Sequence, residues 1–575
     1  MFPLSSNVII NKKIKREGGV ALFSALIVLL MIIPFIHSGT LQITNDGAFH
    51  LQRINEIFMD LKSGRLSYIA THTFSHAGIA SFEFYPSVFL YPWAALQFIF
   101  KPVIAFYVGW GIVLFVTFEI AFHCMWSFSN GNWLRSIFFA TIYGLSGKFI
   151  TEFAKFQLGE LFAYMFLPLA FLGFYKAFVI GDRKGILPLT LGITLIAYSH
   201  FITLYMTGGL MLFLFVILIF KKRITRNKIL YAIKSLSIFL LLSLWEFIPL
   251  ITNSFNKSVA TPVFSFWPVD VNALWNTSWC NQLYSDSSVG LTVIIILVIG
   301  WAFVASKKEK WIYVLGMFLC FITTSLFPWN MISKTKLIHL FMPLQFSFRF
   351  LPLAVLMLSV TGSLICTRLV QLCIKEIKPL VILLLLVFVA GNYVTLIHPL
   401  FSAINSKGIQ LLATKPRNLA PTIFVRNKQY NWINEGIAPN GSIDYMPKVT
   451  VGSQKRINSV QSGDVYINGS RINKERVVAG PNTLVYKIYA RKGDRMNLPA
   501  VEYKRTFVKL NGKSITAYRS ARGTVQINAM NTGYQRVLVT YKPTLFYRFL
   551  MVVALFTWLV LFMKFIVIRL IRMTM

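Results

Sequence analysis

The sequence predicts a polytopic α-helical membrane protein that carries an extracytoplasmic β-sandwich-like domain before its last span. The chain has 575 residues, of which 56% are hydrophobic. Its apolar runs recur along most of the chain, and many reach the roughly 20 residues that a helix needs to cross a bilayer. Beyond residue 399 the pattern changes to short β-branched and aromatic segments separated by Gly, Asn and Pro, which is typical of strands and turns.

About twelve spans are predicted by length and apolarity, and the basic residues between them give the orientation. Lys and Arg cluster in the short connections at 183–184, 221–228 and 307–310, which the positive-inside rule assigns to the cytoplasm. Both chain ends are then predicted to be cytoplasmic, with the protein in the cell (plasma) membrane. The predicted spans lie near residues 19–37, 103–126, 134–150, 160–180, 186–200, 202–220, 229–251, 287–305, 311–327, 349–367, 379–398 and 544–566.

Three parts are predicted along the chain. Residues 1–398 form a transmembrane domain with a large first outer loop at 38–102. Residues 399–543 form an extracytoplasmic basic β domain, in which Asn511-Gly512 between two β-rich segments is a strong hairpin signal. Residues 544–575 form a C-terminal transmembrane anchor.

The predicted β domain is basic, with 23 Lys and Arg against six Asp and Glu over residues 399–543. A basic surface held near a membrane favours anionic lipid headgroups or anionic envelope polymers. The alternative is charge that serves only solubility. Nucleic acid is not expected as a partner, because much of the excess charge lies outside the cell.

The segment Thr44–His50, directly after the first span, contains the carboxylate of greatest interest. Polar residues follow it at helical spacing and share one face, which predicts an amphipathic helix lying at the membrane interface. Asp46 at the start of this helix is then either an ordinary N-cap or a functional carboxylate at the outer face. The polar positions are Asp46, His50, Arg53, Glu56 and Asp60.

Further polar residues fall at the outer ends of the predicted spans. A charged side chain at the edge of hydrocarbon costs a few kcal/mol on insertion scales, so such residues are candidates for function. For Arg349 the alternative is an interfacial anchor, and for His200 a hydrogen-bonded structural histidine. The candidates are Glu83, Lys155, Glu160, His200 and Arg349, while Glu119 and Glu246 lie within spans and are expected to pair with another helix.

These residue types fit a defined chemistry. An outer carboxylate can act as general base toward a hydroxyl, and Arg or Lys can hold a lipid-linked phosphate. Trp267, Trp275 and Trp279 could stack on a sugar face, or form the aromatic belt of a membrane protein. No nucleotide-binding, metalloprotease or hydrolase motif occurs in a supporting context. Only Cys280 of the five cysteines falls in a predicted outer loop, so no disulfide framework is expected.

Several short motifs carry a resemblance that covers nearly the whole chain. In their order and sidedness they resemble the GT-C fold glycosyltransferases, and among these the bacterial membrane proteins described as 6-pyruvoyl-tetrahydropterin synthase-related. The zinc-binding histidine set of a soluble pterin synthase is not visible. The motifs are Asp46 with His50, Phe84-Tyr85-Pro86, Lys155–Glu160 followed by Pro168, Ser199-His200, Gln345–Leu351 and Asp444–Pro447.

The resemblance implies a membrane glycosyltransferase that moves a sugar from a polyprenyl-phosphate-linked donor to a cell-envelope acceptor at the outer face. It implies Asp46 as the general base, with His50 as its partner. Arg349 or Lys155 would lie near the donor phosphate, with Glu83 and Glu160 as supporting carboxylates and His200 also in contact with substrate. No cofactor is expected, because the first loop lacks a paired-acid motif for a divalent metal. The alternatives are a transporter or lipid flippase of envelope precursors and a non-catalytic envelope assembly scaffold.

Overall fold

The computed structural model describes residues 6–254, 259–260, 265–406, 408–412, 422–436, 443–472 and 477–574. The extreme chain ends, whose cytoplasmic location is predicted, lie outside these ranges. The helical part of the chain precedes a β-rich part, and a final helix follows. The α-helices are α1 (Ser6–Ser38), α2 (Gly47–Leu61), α3 (Ser81–Phe84), α4 (Leu90–Ala95), α5 (Pro102–Phe128), α6 (Trp133–Gly144), α7 (Gly147–Ala154), α8 (Leu158–Phe174), α9 (Ile186–Ala197), α10 (Phe201–Phe220), α11 (Arg226–Ser254), α12 (Val271–Trp279), α13 (Leu291–Phe303), α14 (Lys307–Thr323), α15 (Trp329–Ile332), α16 (Ile338–Phe341), α17 (Leu351–Leu372), α18 (Lys378–Asn405), α19 (Lys448–Val451), α20 (Gln454–Gln461) and α21 (Leu545–Thr574).

Eight helical segments in the described part of the chain are long and apolar enough to cross a membrane, which defines a multi-pass membrane protein. Each coincides with one of the twelve predicted spans. The other four predictions fall on α6 with α7, α9, α13 and α14, and these helices have 17 residues or fewer. The eight segments are Gly18–Ser38, Pro102–Phe128, Leu158–Ile180, Phe201–Phe220, Arg226–Thr252, Ser347–Leu372, Lys378–Asn405 and Leu545–Val567.

The polar side chains of α2 are buried, so the prediction of an amphipathic helix at the interface is wrong. Arg53, Glu56 and Asp60 are each 0% exposed. Arg53 donates to the carbonyl oxygens of Tyr85 and Pro86, both at 2.8 Å. The helical spacing of polar residues was genuine, but their partners are other parts of the protein rather than water.

Glu56 fixes the remainder of the first outer loop. Its carboxylate accepts the backbone N–H groups of Thr71, His72 and Thr73 at 2.7–3.0 Å. A buried carboxylate is tolerated when several N–H donors point at it, because they replace the water it has lost. The loop that follows α2 therefore folds back over the helix.

The β-rich part contains two five-stranded antiparallel sheets, which confirms the prediction that this part of the chain is rich in strands. Alternate residues of its strands are buried, as in the long strand Thr483–Ala490. Asn511 and Gly512 have φ of 50° and 88°, which suits the tight turn predicted between two strands there. The strands are β1 (Leu41–Thr44), β2 (Thr422–Val425), β3 (Val465–Ile467), β4 (Ser470–Ile472), β5 (Val477–Gly480), β6 (Thr483–Ala490), β7 (Arg495–Val501), β8 (Thr506–Leu510), β9 (Lys513–Ile515), β10 (Tyr518–Arg519), β11 (Thr524–Asn528) and β12 (Gly533–Tyr541). The sheet orders are β10-β11-β7-β3-β4 and β5-β6-β12-β8-β9.

The β-rich part is docked on the first outer loop at two places. Strand β2 pairs with β1, so the segment after α18 returns to the end of the first span. At the second place, the Asn482 side chain accepts the backbone N–H groups of Tyr68 and Ile69 at 2.6 and 2.9 Å. It also donates to the carbonyl oxygen of Leu66 at 2.9 Å. These contacts join residues far apart in the sequence to the segments that precede and follow α2.

The exposed thiol of Cys280 provides a test of the predicted sidedness. It lies at the end of α12, whereas Cys373 is only half-buried beside a connection predicted to be cytoplasmic. In intact cells, a membrane-impermeant maleimide is expected to label the wild-type protein, and Cys280→Ser is expected to abolish that label. Cys373→Ser is the matched control and should leave it unchanged. Labelling of Cys280 only after permeabilisation would contradict the predicted orientation and place this end of α12 in the cytoplasm.

Candidate functional site

The turn before α2 holds Asp46 against the turn between α7 and α8. The Thr44 hydroxyl donates to the carbonyl oxygen of Ala154 at 2.7 Å. A side chain at Gly47 would come within 2.9 Å of the Phe156 ring, so only glycine allows this approach. Asp46 is thereby placed beside the polar residues that follow Ala154.

Two ion pairs surround this position. Arg349, which begins the span of α17, holds Glu160 at 3.1 Å between its Nε and the Glu160 Oε1. Both side chains are largely buried, at 13% and 8% exposure. Lys155 pairs with Asp286, whose other carboxylate oxygen accepts a hydrogen bond from Gln157 at 3.1 Å. Each cation near Asp46 thus already has a carboxylate partner.

Asp46 is the carboxylate that remains unpaired. Within the described residues it receives no side-chain hydrogen bond and forms no ion pair, and it does not cap α2. Burial raises its pKa from 3.8 to about 6, and the negative charge of Glu160 adds to the effect. The positive charges of Lys155 and Arg349 oppose it only in part. The N-cap interpretation therefore fails, and the group is a half-buried carboxylate that can change protonation near neutral pH.

Aromatic rings form one wall beside Asp46. The Tyr445 ring stacks on Phe49 and on Phe84, with ring centroids 5.7 Å apart in both pairs. Tyr85 packs close by, and its hydroxyl lies where a side chain at Gly159 would clash, at 2.4 Å from the ideal Cβ position. Burial raises the pKa of both phenols, and the charge of Asp46 contributes to each shift. Both tyrosines are therefore neutral hydrogen-bonding groups next to the carboxylate.

The two predicted histidines lie behind this wall. His50 is 2% exposed, its Nδ1 has no hydrogen-bond partner among the described residues, and burial holds its pKa well below 6.5. His200 bonds to the Thr203 hydroxyl at 2.9 Å, and burial lowers its pKa to about 4. Both rings pack on Tyr85, with centroids 5.5 and 5.8 Å away. Both histidines are neutral imidazoles. His50 lines a narrow crevice together with Arg53 and Ser199. His200 packs on Tyr85, which also lines this crevice.

Of the seven predicted site residues, one lies elsewhere. Asp46, Lys155, Glu160 and Arg349 are close enough to interact electrostatically, and His200 lies within range of Glu160 and Arg349. His50 instead adjoins His200. Glu83 is not among the charges that act on Asp46. It lies by Tyr68, Tyr503 and Tyr547, where the β-rich part and the last span meet the first loop.

Sequence reasoning missed Asp286 and the two tyrosines. Asp286 lies in the loop between α12 and α13, so its place near an outer helix end was a usable signal. Tyr445 lies in the Asp444–Pro447 motif, but its contact with Phe49 joins residues almost 400 positions apart. Glu119 pairs with another helix as predicted, because it accepts a hydrogen bond from Ser24 of α1 at 2.7 Å. Glu246 instead bonds to the backbone of Ser87 in the first outer loop, between α3 and α4.

One group in the described part of the chain has metal-ligating atoms within 4.8 Å of one another, namely Glu56, Asp60 and His72. His72 Nε2 lies 3.3 Å from Asp60 Oδ1. The oxygens of Glu56 already accept the backbone donors of the loop. The group occupies the opposite end of α2 from Asp46 and braces the loop there.

Comparison with solved structures finds similarities in fold. No protein-family model matches the chain, and no curated protein matches it. The fold is similar to the cryo-EM structure of the arabinofuranosyltransferase AftD from Mycobacteria, with a TM-score of 0.46 and 13% identity. That similarity covers 91% of this chain and 40% of the AftD chain, so this chain spans less than half of the relative. At this level it says nothing about chemistry.

Because the pKa of Asp46 is raised, its ionisation costs folding free energy above about pH 6. Asp46→Asn removes that cost and is expected to stabilise the protein by about 1–2 kcal/mol at pH 7.5, after allowance for partial exposure. The gain should fade as the pH falls from about 6 toward 4, because Asp46 then becomes protonated in the unfolded chain as well as in the folded protein. Thermal unfolding in detergent measures both the stabilisation at pH 7.5 and its loss at lower pH. Glu376→Gln, an exposed carboxylate, is the control, and an unstabilised Asp46→Asn at pH 7.5 would contradict the description.

The Arg349–Glu160 pair makes a separate prediction. Arg349→Gln leaves Glu160 buried without its cation, which is expected to cost about 3–5 kcal/mol. Adding Glu160→Gln should recover part of the loss, because no unpaired charge remains. Unfolding of both single variants and the double variant measures the coupling. Strictly additive losses would show that the two side chains do not interact.

Proposed function

We propose that this protein is a membrane glycosyltransferase of GT-C type, which moves a sugar from a polyprenyl-phosphate-linked donor to a cell-envelope acceptor. The observation that carries the proposal is the unpaired carboxylate of Asp46, with a pKa near 6, between two cations that hold other carboxylates. A general base works best when its pKa lies near the working pH. The arrangement is also that expected where a base and a phosphate-binding group must act side by side.

In the proposed reaction Asp46 takes the proton of an acceptor hydroxyl. The acceptor oxygen forms a bond to the anomeric carbon as the bond from that carbon to the phosphate oxygen breaks. The electron pair of the broken bond leaves with polyprenyl phosphate, and the sugar configuration is inverted. Arg349 and Lys155 stabilise the phosphate charge that develops, by exchanging part of their contact with Glu160 and Asp286 for the leaving group.

The aromatic wall suits a sugar substrate. Tyr445 and Tyr85 offer apolar ring faces and neutral hydroxyls close to Asp46. His50 and His200, both uncharged, are available as hydrogen-bonding groups at the far side of Tyr85. Glu160 would act through Arg349, and Glu83 would have no direct contact with the substrate, contrary to the role that the sequence suggests for it.

The transporter alternative requires charged groups that face a passage near the middle of the bilayer. Among the described residues, the acids inside the eight long apolar segments are Glu119, Glu160 and Glu246. Each has a partner in the neighbouring structure, and Glu160 lies in the first turn of its segment. The charged cluster instead lies at the ends of α8 and α17 and in the loops beside them. This placement favours chemistry at one face over transport.

The test is transfer of labelled sugar from a polyprenyl-phosphate donor in reconstituted membranes. Asp46→Asn is expected to lower the rate by about 10²–10⁴, the usual effect of losing a general base. Because this variant is expected to be at least as stable as the wild type, a loss of activity cannot come from unfolding. Arg349→Lys should retain more activity than Arg349→Gln, since it keeps the charge.

Glu83→Gln is the matched control, because it removes a carboxylate of the same loop that does not act on Asp46. It is expected to leave transfer within about threefold of wild type. Wild-type rates in a folded Asp46→Asn protein would remove Asp46 as the base. No transfer by the wild type with any polyprenyl-phosphate sugar would favour the transporter or the scaffold.

A further inference from the structure

A second cavity, remote in sequence from Asp46, opens on the sheet β10-β11-β7-β3-β4. Its volume is about 320 Å³. Its lining combines three guanidinium groups with hydroxyl, amide and phenol groups. The lining residues include Arg456, Tyr466, Arg495, Asn497, Ser520 and Arg522. We call this cavity the arginine cleft.

Arg522 is a rigid part of the arginine cleft. It is 7% exposed and donates to the carbonyl oxygens of Asp464 and Asn497, at 2.6 and 3.2 Å. Its guanidinium carbon lies 4.7 Å from the centre of the Tyr466 ring. Its hydrogen bonds all go to neutral acceptors, so its positive charge is not cancelled by these contacts.

Arg456 and Arg495 line the arginine cleft with exposed guanidinium groups. Arg456 donates to the Val449 carbonyl at 2.8 Å and keeps its other N–H groups for further acceptors. The Arg495 guanidinium group donates no hydrogen bond to any acceptor among the described residues. The nearby acid Asp464 is already paired with Arg471 at 2.8 Å. The described part of the arginine cleft therefore carries a net positive charge.

The arginine cleft is connected to the Asp46 site by a short stretch of chain. The carbonyl oxygen of Arg522 accepts a hydrogen bond from the Thr450 hydroxyl at 2.7 Å. Gly523 packs so closely on Pro447 and Thr450 that a side chain there would clash, at 2.9 and 2.5 Å. Two residues before Pro447 lies Tyr445, the ring that forms the wall beside Asp46. The segment 445–450 therefore contacts both the aromatic wall beside Asp46 and the Arg522 side of the arginine cleft.

We propose that the arginine cleft binds a hydroxyl-rich polyanion chain, whose charged groups are phosphates or carboxylates, as a subsite for the acceptor. This proposal deepens the proposed function. The statement that the bound chain is the acceptor rests on that function, whereas binding of the chain does not require sugar transfer. Guanidinium groups match the geometry of phosphate and carboxylate oxygens, and the amide and hydroxyl groups suit polyol or sugar hydroxyls. A concave site of this volume suits one segment of a chain rather than a flat lipid surface.

The experiment measures binding of the full-length protein in neutral detergent to three immobilised polymers. Poly(glycerol phosphate) carries phosphates, polygalacturonate carries carboxylates, and dextran is neutral. The cleft variant is Arg456→Gln with Arg495→Gln. The matched control is Lys509→Gln with Lys513→Gln, which removes the same charge from exposed positions on the other sheet.

We expect the wild type to bind at least one anionic polymer and not dextran. The cleft variant should bind at least about 10-fold more weakly, and the control should stay within about twofold. Binding of poly(glycerol phosphate) alone, or of polygalacturonate alone, identifies the charged group. Equal weakening in both variants would overturn the proposal in favour of diffuse charge attraction, and so would absence of binding to either polyanion. Stronger binding to anionic-lipid vesicles than to either polymer, unaffected by the cleft variant, would also overturn it.

Asp46→Asn separates this proposal from the proposed function. It is expected to bind the polyanion with wild-type affinity, because it lies outside the arginine cleft. Intact binding with no transfer by any variant would contradict the glycosyltransferase and leave the cleft as a binding site. Sugar transfer without any polyanion binding would contradict the arginine cleft as a binding site and support the glycosyltransferase.

Discussion

The pairing of charges around Asp46 is the constraint on which the site depends. Arg349 holds Glu160 and Lys155 holds Asp286, so neither cation is free to neutralise a third carboxylate. Each pair lies partly buried, where loss of one partner is costly. Burial, together with the negative charge of Glu160, raises the pKa of Asp46 beside these pairs, and the two cations offset that rise only in part. A substrate phosphate could bind the same two cations without first breaking an ion pair with Asp46.

This arrangement in turn requires the first outer loop to be rigid. Asp46 belongs to a short turn, and such turns are mobile unless neighbouring parts of the protein fix them. Here β1 pairs with β2, α2 is buried on almost every side, and Glu56 fixes the loop that follows. The β-rich part contributes Asn482 and Tyr445 to the same region. In this structure the outer domain is thus part of the framework of the site as well as a neighbour of it.

The sequence predicted the features whose causes are local. The Asn511-Gly512 turn follows from residues that accept positive φ, and the eight long spans follow from apolar length. Lys155, Glu160 and Arg349 stood out because charges near hydrocarbon are rare. The burial of α2 was not predictable, since its polar face looks the same whether it meets water or other parts of the protein. The roles of Asp286 and Tyr445 were missed because their contacts depend on how distant segments dock. One span was predicted at residues 134–150, where the structure has the two short helices α6 and α7.

The central claim is that the Asp46 carboxylate, unpaired and with a pKa of about 6, removes the acceptor proton. Its most direct test is the pH dependence of kcat/KM for sugar transfer, which reports ionisation in the free enzyme. The account predicts that kcat/KM falls as the pH drops through about 6, and that Asp46→Asn retains a low residual rate without this transition. An unchanged transition near pH 6 in a folded Asp46→Asn protein would assign the ionisation to another group and contradict the account.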